Sequence, residues 1–163
     1  IPTPIPADTA NWNNLVNNNG FSFKYPKEAT LSGYVGTATA SAAVQVNMGD
    51  SVLGVEVFGK GMGQSGDPPL TLERIVDLTR EKNASASANQ KILTRPISIL
   101  FAGNKGYEWY LESSKFYGNY TSFISRLGKN RVIQFEKGTK SYIIFTTFDD
   151  LGEQLLSTFR LNL

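Results

Sequence analysis

The chain is 163 residues long, 40% hydrophobic and 18% charged, with 16 basic against 14 acidic side chains for a net charge of +2. That length suits one domain burying roughly 70% of its unfolded surface, and the near-neutral balance with no dense basic run argues against nucleic acid or an anionic membrane as partner. Cysteine and histidine are both absent, which excludes disulfides, thiol nucleophiles, serine–histidine dyads and the usual zinc, copper and haem sites.

The chain opens Ile1-Pro2-Thr3-Pro4-Ile5-Pro6. Alternating proline favours extended polyproline structure. Residues 1–10 therefore read as a spacer from a tether whose anchor is not in this chain, and residues 11–163 as a single domain. No stretch approaches the ~20 apolar residues that span a bilayer. Asp8 to Val16 holds the first aromatic anchor, Trp12, and Asn17-Asn18-Asn19-Gly20 is a turn, since asparagine and glycine tolerate positive φ. Phe21-Ser22-Phe23-Lys24-Tyr25 alternates apolar and polar, the period of a half-buried strand. Pro26 ends it for want of an N–H.

Glu28 to Leu31 is expected to pair nearby, and Gly33 to Ala43 to form a loop or sheet edge. Ala43 to Val46 and Ser51 to Phe58 read as strands joined at Gly49-Asp50. Gly59 to Pro69 is a glycine- and proline-rich loop. Thr71 is a suitable N-cap for an amphipathic helix over Leu72 to Lys82, with Leu72, Ile75 and Val76 at helical spacing. Asn83 to Gln90 is a polar loop. Lys91 to Ala102 and Lys105 to Ser113 read as strands about a Gly103-Asn104 hairpin. In the second of them Tyr107, Trp109 and Leu111 share one face and Glu108, Tyr110 and Glu112 the other. Phe116 to Leu127 reads as a connection with some strand. Arg131 to Glu136 and Lys140 to Thr147 form a hairpin around Lys137-Gly138-Thr139. A final helix starts with the capping-box-like Asp150-Leu151-Gly152-Glu153 and buries Leu151, Leu155, Leu156 and Phe159. Strands do not alternate regularly with helices, so the fold class is α+β, an antiparallel β-sheet flanked by helices.

Four groups of residues invite a chemical reading. Gly61-Met62-Gly63-Gln64-Ser65-Gly66 spells G-x-G-x-x-G, but Asp67-Pro68-Pro69 delays the helix that should point its N–H groups at a pyrophosphate, so a flexible loop is expected and no cofactor. Asp149, Asp150 and Glu153 lie where helix capping and the macrodipole already favour acids, so no metal is expected there. Glu108 and Glu112 sit four apart on a strand, ~13 Å between Cα atoms, too far for a simple acid–base pair and better read as a solvated face. Tyr110, Tyr117 and Tyr120 are the aromatics least needed by the core and form the candidate ligand-binding surface.

Three stretches carry a resemblance. Gly20-Phe21-Ser22-Phe23-Lys24-Tyr25-Pro26 after Trp12, Ala102 through Tyr110, and Ile143-Ile144-Phe145 with Ser157-Thr158-Phe159 are similar to the opening strand, the glycine hairpin and the closing helix of PsbP-like domains of exported bacterial proteins. The resemblance spans Trp12 to Leu161 and implies a PsbP-like α/β/α sandwich. It also implies a secreted protein anchored through lipid or a membrane helix behind a proline- and threonine-rich spacer. Lys27-Glu28-Ala29 departs from it where a tryptophan is common, and with no histidine here a manganese role is not carried over.

The expected function is that of a non-enzymatic, monomeric domain held at the cell surface or released outside it, an accessory or binding domain for a protein or cell-envelope component. The alternative is a carrier for a small carbohydrate or lipid, using the Tyr110–Tyr120 region or the Gly59–Pro69 loop as a lid. A carboxylate-dependent hydrolase comes third, and no residue is named as catalytic.

Overall fold

The computed structural model describes residues 8–34, 42–59, 71–77, 90–113 and 128–162. Apart from Asp8 to Ala10, the spacer lies outside them, as do the G-x-G-x-x-G loop, the part of the expected helix beyond residue 77, the polar loop before Gln90 and the whole of Phe116 to Leu127. Asp8 caps a 3-10 turn, Thr9–Asn11, by accepting from Ala10 N–H. The strands are β1 Asn13–Asn17, β2 Phe21–Tyr25, β3 Thr30–Tyr34, β4 Ala42–Met48, β5 Ser51–Gly59, β6 Gln90–Ile92, β7 Ile97–Phe101, β8 Asn104–Ser113, β9 Gly128–Lys137, β10 Lys140–Thr147 and β11 Arg160–Leu161. Residues 72–77 are helical, called α1 below, and α2 is Asp150–Ser157.

The sequence points to one sheet, but the strands sort into two. Among the described residues, β1, β2 and β11 make a three-stranded sheet, and the large sheet runs β3-β4-β5-β10-β9-β8-β6 with β7 also paired to β8. All these pairings are antiparallel. Because side chains alternate along a strand, register decides what each face of the large sheet presents. Val46, Leu53, Val55, Val57, Ile133, Phe135 and Ile144 fall on one face. Phe21 and Phe23 of the small sheet, Leu155 and Leu156 of α2, and Phe159 close over them. Full burial of side chains this size stabilises by about 1.5–3 kcal/mol each. Phe135 stacks on Tyr142 with centroids 5.0 Å apart, and Phe21 on Phe159 at 5.9 Å. On the opposite face Val52, Tyr107, Trp109, Leu111, Val132 and Phe145 pack with Ile75 of α1.

The expected antiparallel sheet is therefore present, and α2 packs over its first face. The covering of the first face is shared with the small sheet. The reason is that β2 pairs with β11, which brings residues 21–22 against residues 160–161.

Local corrections follow the hydrogen-bond ledger. Lys91 to Ala102 is not one strand. Pro96 has no N–H to give a ladder, and β8 is served across the gap by Leu93 N–H donating to Tyr110 O (2.8 Å) and Thr94 Oγ1 accepting from Tyr110 N–H (2.9 Å). The β7–β8 turn is Ala102-Gly103, one residue earlier than Gly103-Asn104, since Phe101 pairs with Asn104. Thr71 does cap α1, accepting from Arg74 N–H at 3.2 Å. At α2 the cap is Asp149, whose Oδ1 accepts from Gly152 N–H at 2.7 Å. No capping box forms there, because the third helical position is Gly152, which has no side chain to reach back to the cap.

Candidate functional site

Strands β8 and β9 set Glu108 opposite Ile133 and Tyr110 opposite Arg131. Arg131 is thus in phase with Ile133 and Phe135, on the face that α2 and the small sheet cover. A guanidinium on a covered apolar face needs partners, and it has two. Its Nε donates to Glu108 Oε2 at 2.7 Å, and its Nη2 lies 2.6 Å from the same oxygen. Its Nη1 donates to both Glu153 oxygens, at 2.8 and 3.0 Å. Charge-assisted bonds of this length are roughly twice as strong as neutral ones. Burial works against the charge on Arg131, but the two carboxylates outweigh it and hold the pKa above the ordinary arginine value. The bridge also fastens the start of α2 to the large sheet.

The expectation that Glu108 faces solvent fails. It is 7% exposed, because α2 and the small sheet cover this face and Arg131 bridges Glu108 to Glu153. Glu112 is exposed as expected and pairs across the strands with Lys129.

Tyr110 joins the cluster. Its hydroxyl donates to Glu108 Oε1 at 3.4 Å, and its ring meets the Phe148 ring edge-on at 5.3 Å. Burial, then the Glu108 charge, push its pKa up, so it keeps its proton throughout the neutral range. Phe148 is 53% exposed, and Ile97, opposite Glu108 on β7, is 54% exposed. An apolar rim therefore borders the Tyr110–Glu108–Arg131–Glu153 network. Of the three predicted ligand-binding tyrosines, Tyr110 lies here, while Tyr117 and Tyr120 fall outside the described residues.

The acidic cluster at Asp149, Asp150 and Glu153 divides its work. Asp149 caps α2 through one oxygen and accepts from Ser51 Oγ at 2.9 Å through the other, while Glu153 binds Arg131. Among the described residues no group of three or more acids is placed to hold a metal ion. Arg131 and Phe148 were missed from sequence. Arg131 had left a signal, as a cation two and four residues before the core residues Ile133 and Phe135.

The fold has a solved counterpart. The solution structure of cyanobacterial PsbP (CyanoP) from Synechocystis sp. PCC 6803 superposes with a TM-score of 0.58, covering 99% of this chain and 98% of that one at 11% identity. The fold is PsbP-like. At that identity the likeness carries architecture alone. No family model matches the sequence, and no curated protein does.

The closing segment of this PsbP-like fold, Ser157-Thr158-Phe159, has a physical reading. Phe159 enters the core. Thr158 Oγ1 accepts from Lys24 N–H at 2.9 Å and donates to Leu155 O at 2.8 Å, joining the end of α2 to β2. Ser157 Oγ donates to Gln154 O at 2.7 Å.

Proposed function

We propose that the protein is a non-enzymatic binding domain, exported and tethered at the cell surface, that recognises a protein or cell-envelope component through the Ile97–Tyr110–Phe148 rim. Helices on both faces of the sheet, the full α/β/α layering, belong to the same reading, with Ile75 of α1 as the contact that supports it on the second face.

One observation carries the reading. Both carboxylates of the cluster, Glu108 and Glu153, are bound to the same guanidinium. A general acid or base must exchange its proton with a substrate, whereas these acids hold a fixed positive charge in place. Beside that rigid polar base stand two large apolar side chains in solvent. Exposed apolar groups rimmed by polar ones are what a binding surface offers. Tethering rests on the alternating prolines at the start of the chain and on the resemblance to exported PsbP-like domains.

The immobilised domain is expected to retain an envelope component from a cell extract. Ile97→Ser with Phe148→Ser should abolish retention at unchanged melting temperature, since neither side chain fills the core. Retention unaffected by the double variant would place binding elsewhere. Hydrolysis of a glycan or peptide that disappears with Glu108→Gln would replace the reading with a catalytic one.

A further inference from the structure

At the other end of α2 lies a cleft of about 310 Å³ between that helix and the small sheet. Its walls are Ser22 and Lys24 of β2, Gln154, Ser157 and Thr158 at the end of α2, and Arg160 of β11. Thr9 and Asn14 complete the rim. Every one of these side chains is polar, and the hydroxyls of Ser22, Ser157 and Thr158, which already donate to Asn162 Oδ1, Gln154 O and Leu155 O, meet a ligand as acceptors. Two are cations, none is an acid and none is apolar, although the chain has 14 acidic residues. The volume is at the lower end of ligand clefts, ~300–1,000 Å³, and suits a small molecule better than a protein segment.

The charge in the cleft is available. A helix C-terminus repels anions through its free carbonyls, yet here Arg160 Nη1 donates to Ser157 O at 2.8 Å and to Phe159 O at 2.7 Å. Thr158 N–H and its hydroxyl serve Leu155 O. The negative end of α2 is thereby quenched. Lys24 is different. Its backbone is pinned through Thr158 Oγ1, and among the described residues its ammonium has no ion pair or hydrogen bond. A positioned backbone, an uncommitted ammonium and surrounding hydroxyls and amides form a site for a ligand that is both anionic and rich in hydroxyls.

We infer that this cleft binds a small anionic polyol, a carboxylate-bearing sugar or a polyol phosphate, with Lys24 on the anionic group and Ser22, Gln154 and Ser157 on hydroxyls. The site is separate from the Ile97–Tyr110–Phe148 rim and stands or falls independently of it.

The test is an amide NMR titration of the intact chain with digalacturonate, glycerol phosphate, lactose and inorganic phosphate. One of the two anionic polyols should saturably shift the amides of Lys24, Ser157 and Thr158 and leave that of Phe148 in place, and which of them does so identifies the source of the anion. Lys24→Gln should weaken that binding about tenfold, as loss of one charge-assisted contact implies. Gln154→Ala, at a half-buried helix position outside the core where alanine favours the helix, should weaken it several-fold. Equal binding of lactose, equal binding of inorganic phosphate, insensitivity to Lys24→Gln, or no shift with either anionic polyol would each overturn the assignment.

Discussion

Gly152 occupies the first turn of α2, where an isolated glycine ordinarily weakens a helix by ~1 kcal/mol relative to alanine. Its Cα lies against the end of β10. A Cβ there would collide with the Thr147 carbonyl oxygen, stand 2.6 Å from Thr146 Oγ1 and 3.2 Å from Asp149 Oδ1. The Thr147 oxygen is backbone within a paired strand and cannot rotate away. Gly152→Ala should therefore destabilise the protein by about 2–3 kcal/mol despite the better helix propensity, read as a lower urea midpoint with an unchanged slope. A variant as stable as the parent would mean that α2 lifts off β10 freely. The sequence marks this glycine only as an irregularity, because the carbonyl it accommodates belongs to a strand whose distance from the helix no local pattern encodes. Arg131 was more legible. Its phase with Ile133 and Phe135 announces a cation on a core face, but its partners Glu108 and Glu153 lie 23 and 22 residues away and are joined to it only by tertiary packing.

The hairpins show the same division between local and distant information. Those at Gly49-Asp50 and Gly138-Thr139 were readable because glycine stands first in each two-residue turn, with φ of +57° and +58°, as a type II′ turn requires. The β7–β8 turn was displaced by one residue for an equally physical reason. Ala102 takes φ of +46° ahead of Gly103 at +76°, the two positive values of a type I′ turn, and alanine is an unusual occupant of that first position. Asn104 Nδ2 donates to Ala102 O at 2.7 Å and supports the arrangement. Ala102→Asn would give the Asn-Gly pair that such turns prefer and should stabilise by about 0.5–1 kcal/mol, measurable as a higher melting temperature. A drop in stability would show that the turn is held by β7–β8 packing against a different local preference. The interruption between β6 and β7 was less legible. Pro96 marked it, but the repair by Leu93 and Thr94 uses donors and acceptors of β8 that sequence periodicity does not reveal.

The small sheet joins β1 and β2 to β11, and the contact that fastens it to the large sheet sets how the molecule answers alkali. Tyr142 of β10 donates its hydroxyl proton to Asn19 O at 2.9 Å, bridging the large sheet to the turn between β1 and β2. Lys140 Nζ donates to the same oxygen at 3.2 Å, so Tyr142→Phe leaves that carbonyl satisfied and should cost only about 1 kcal/mol at neutral pH. Burial raises the Tyr142 pKa above its ordinary value of 10.0. The folded state therefore keeps this proton to higher pH than the unfolded chain does. Its contribution to stability is complete below about pH 10 and is lost as pH rises through the raised folded value. Tyr110, raised by burial and by Glu108, acts in the same direction. The difference in urea midpoint between parent and Tyr142→Phe should then be constant from pH 7 to 9 and shrink or change sign above about pH 10, while absorbance of tyrosinate reports late ionisation in the parent. A gap that stays constant to pH 12 would mean that folding leaves the Tyr142 hydroxyl as acidic as in the open chain. The join between the two sheets would then be indifferent to its proton.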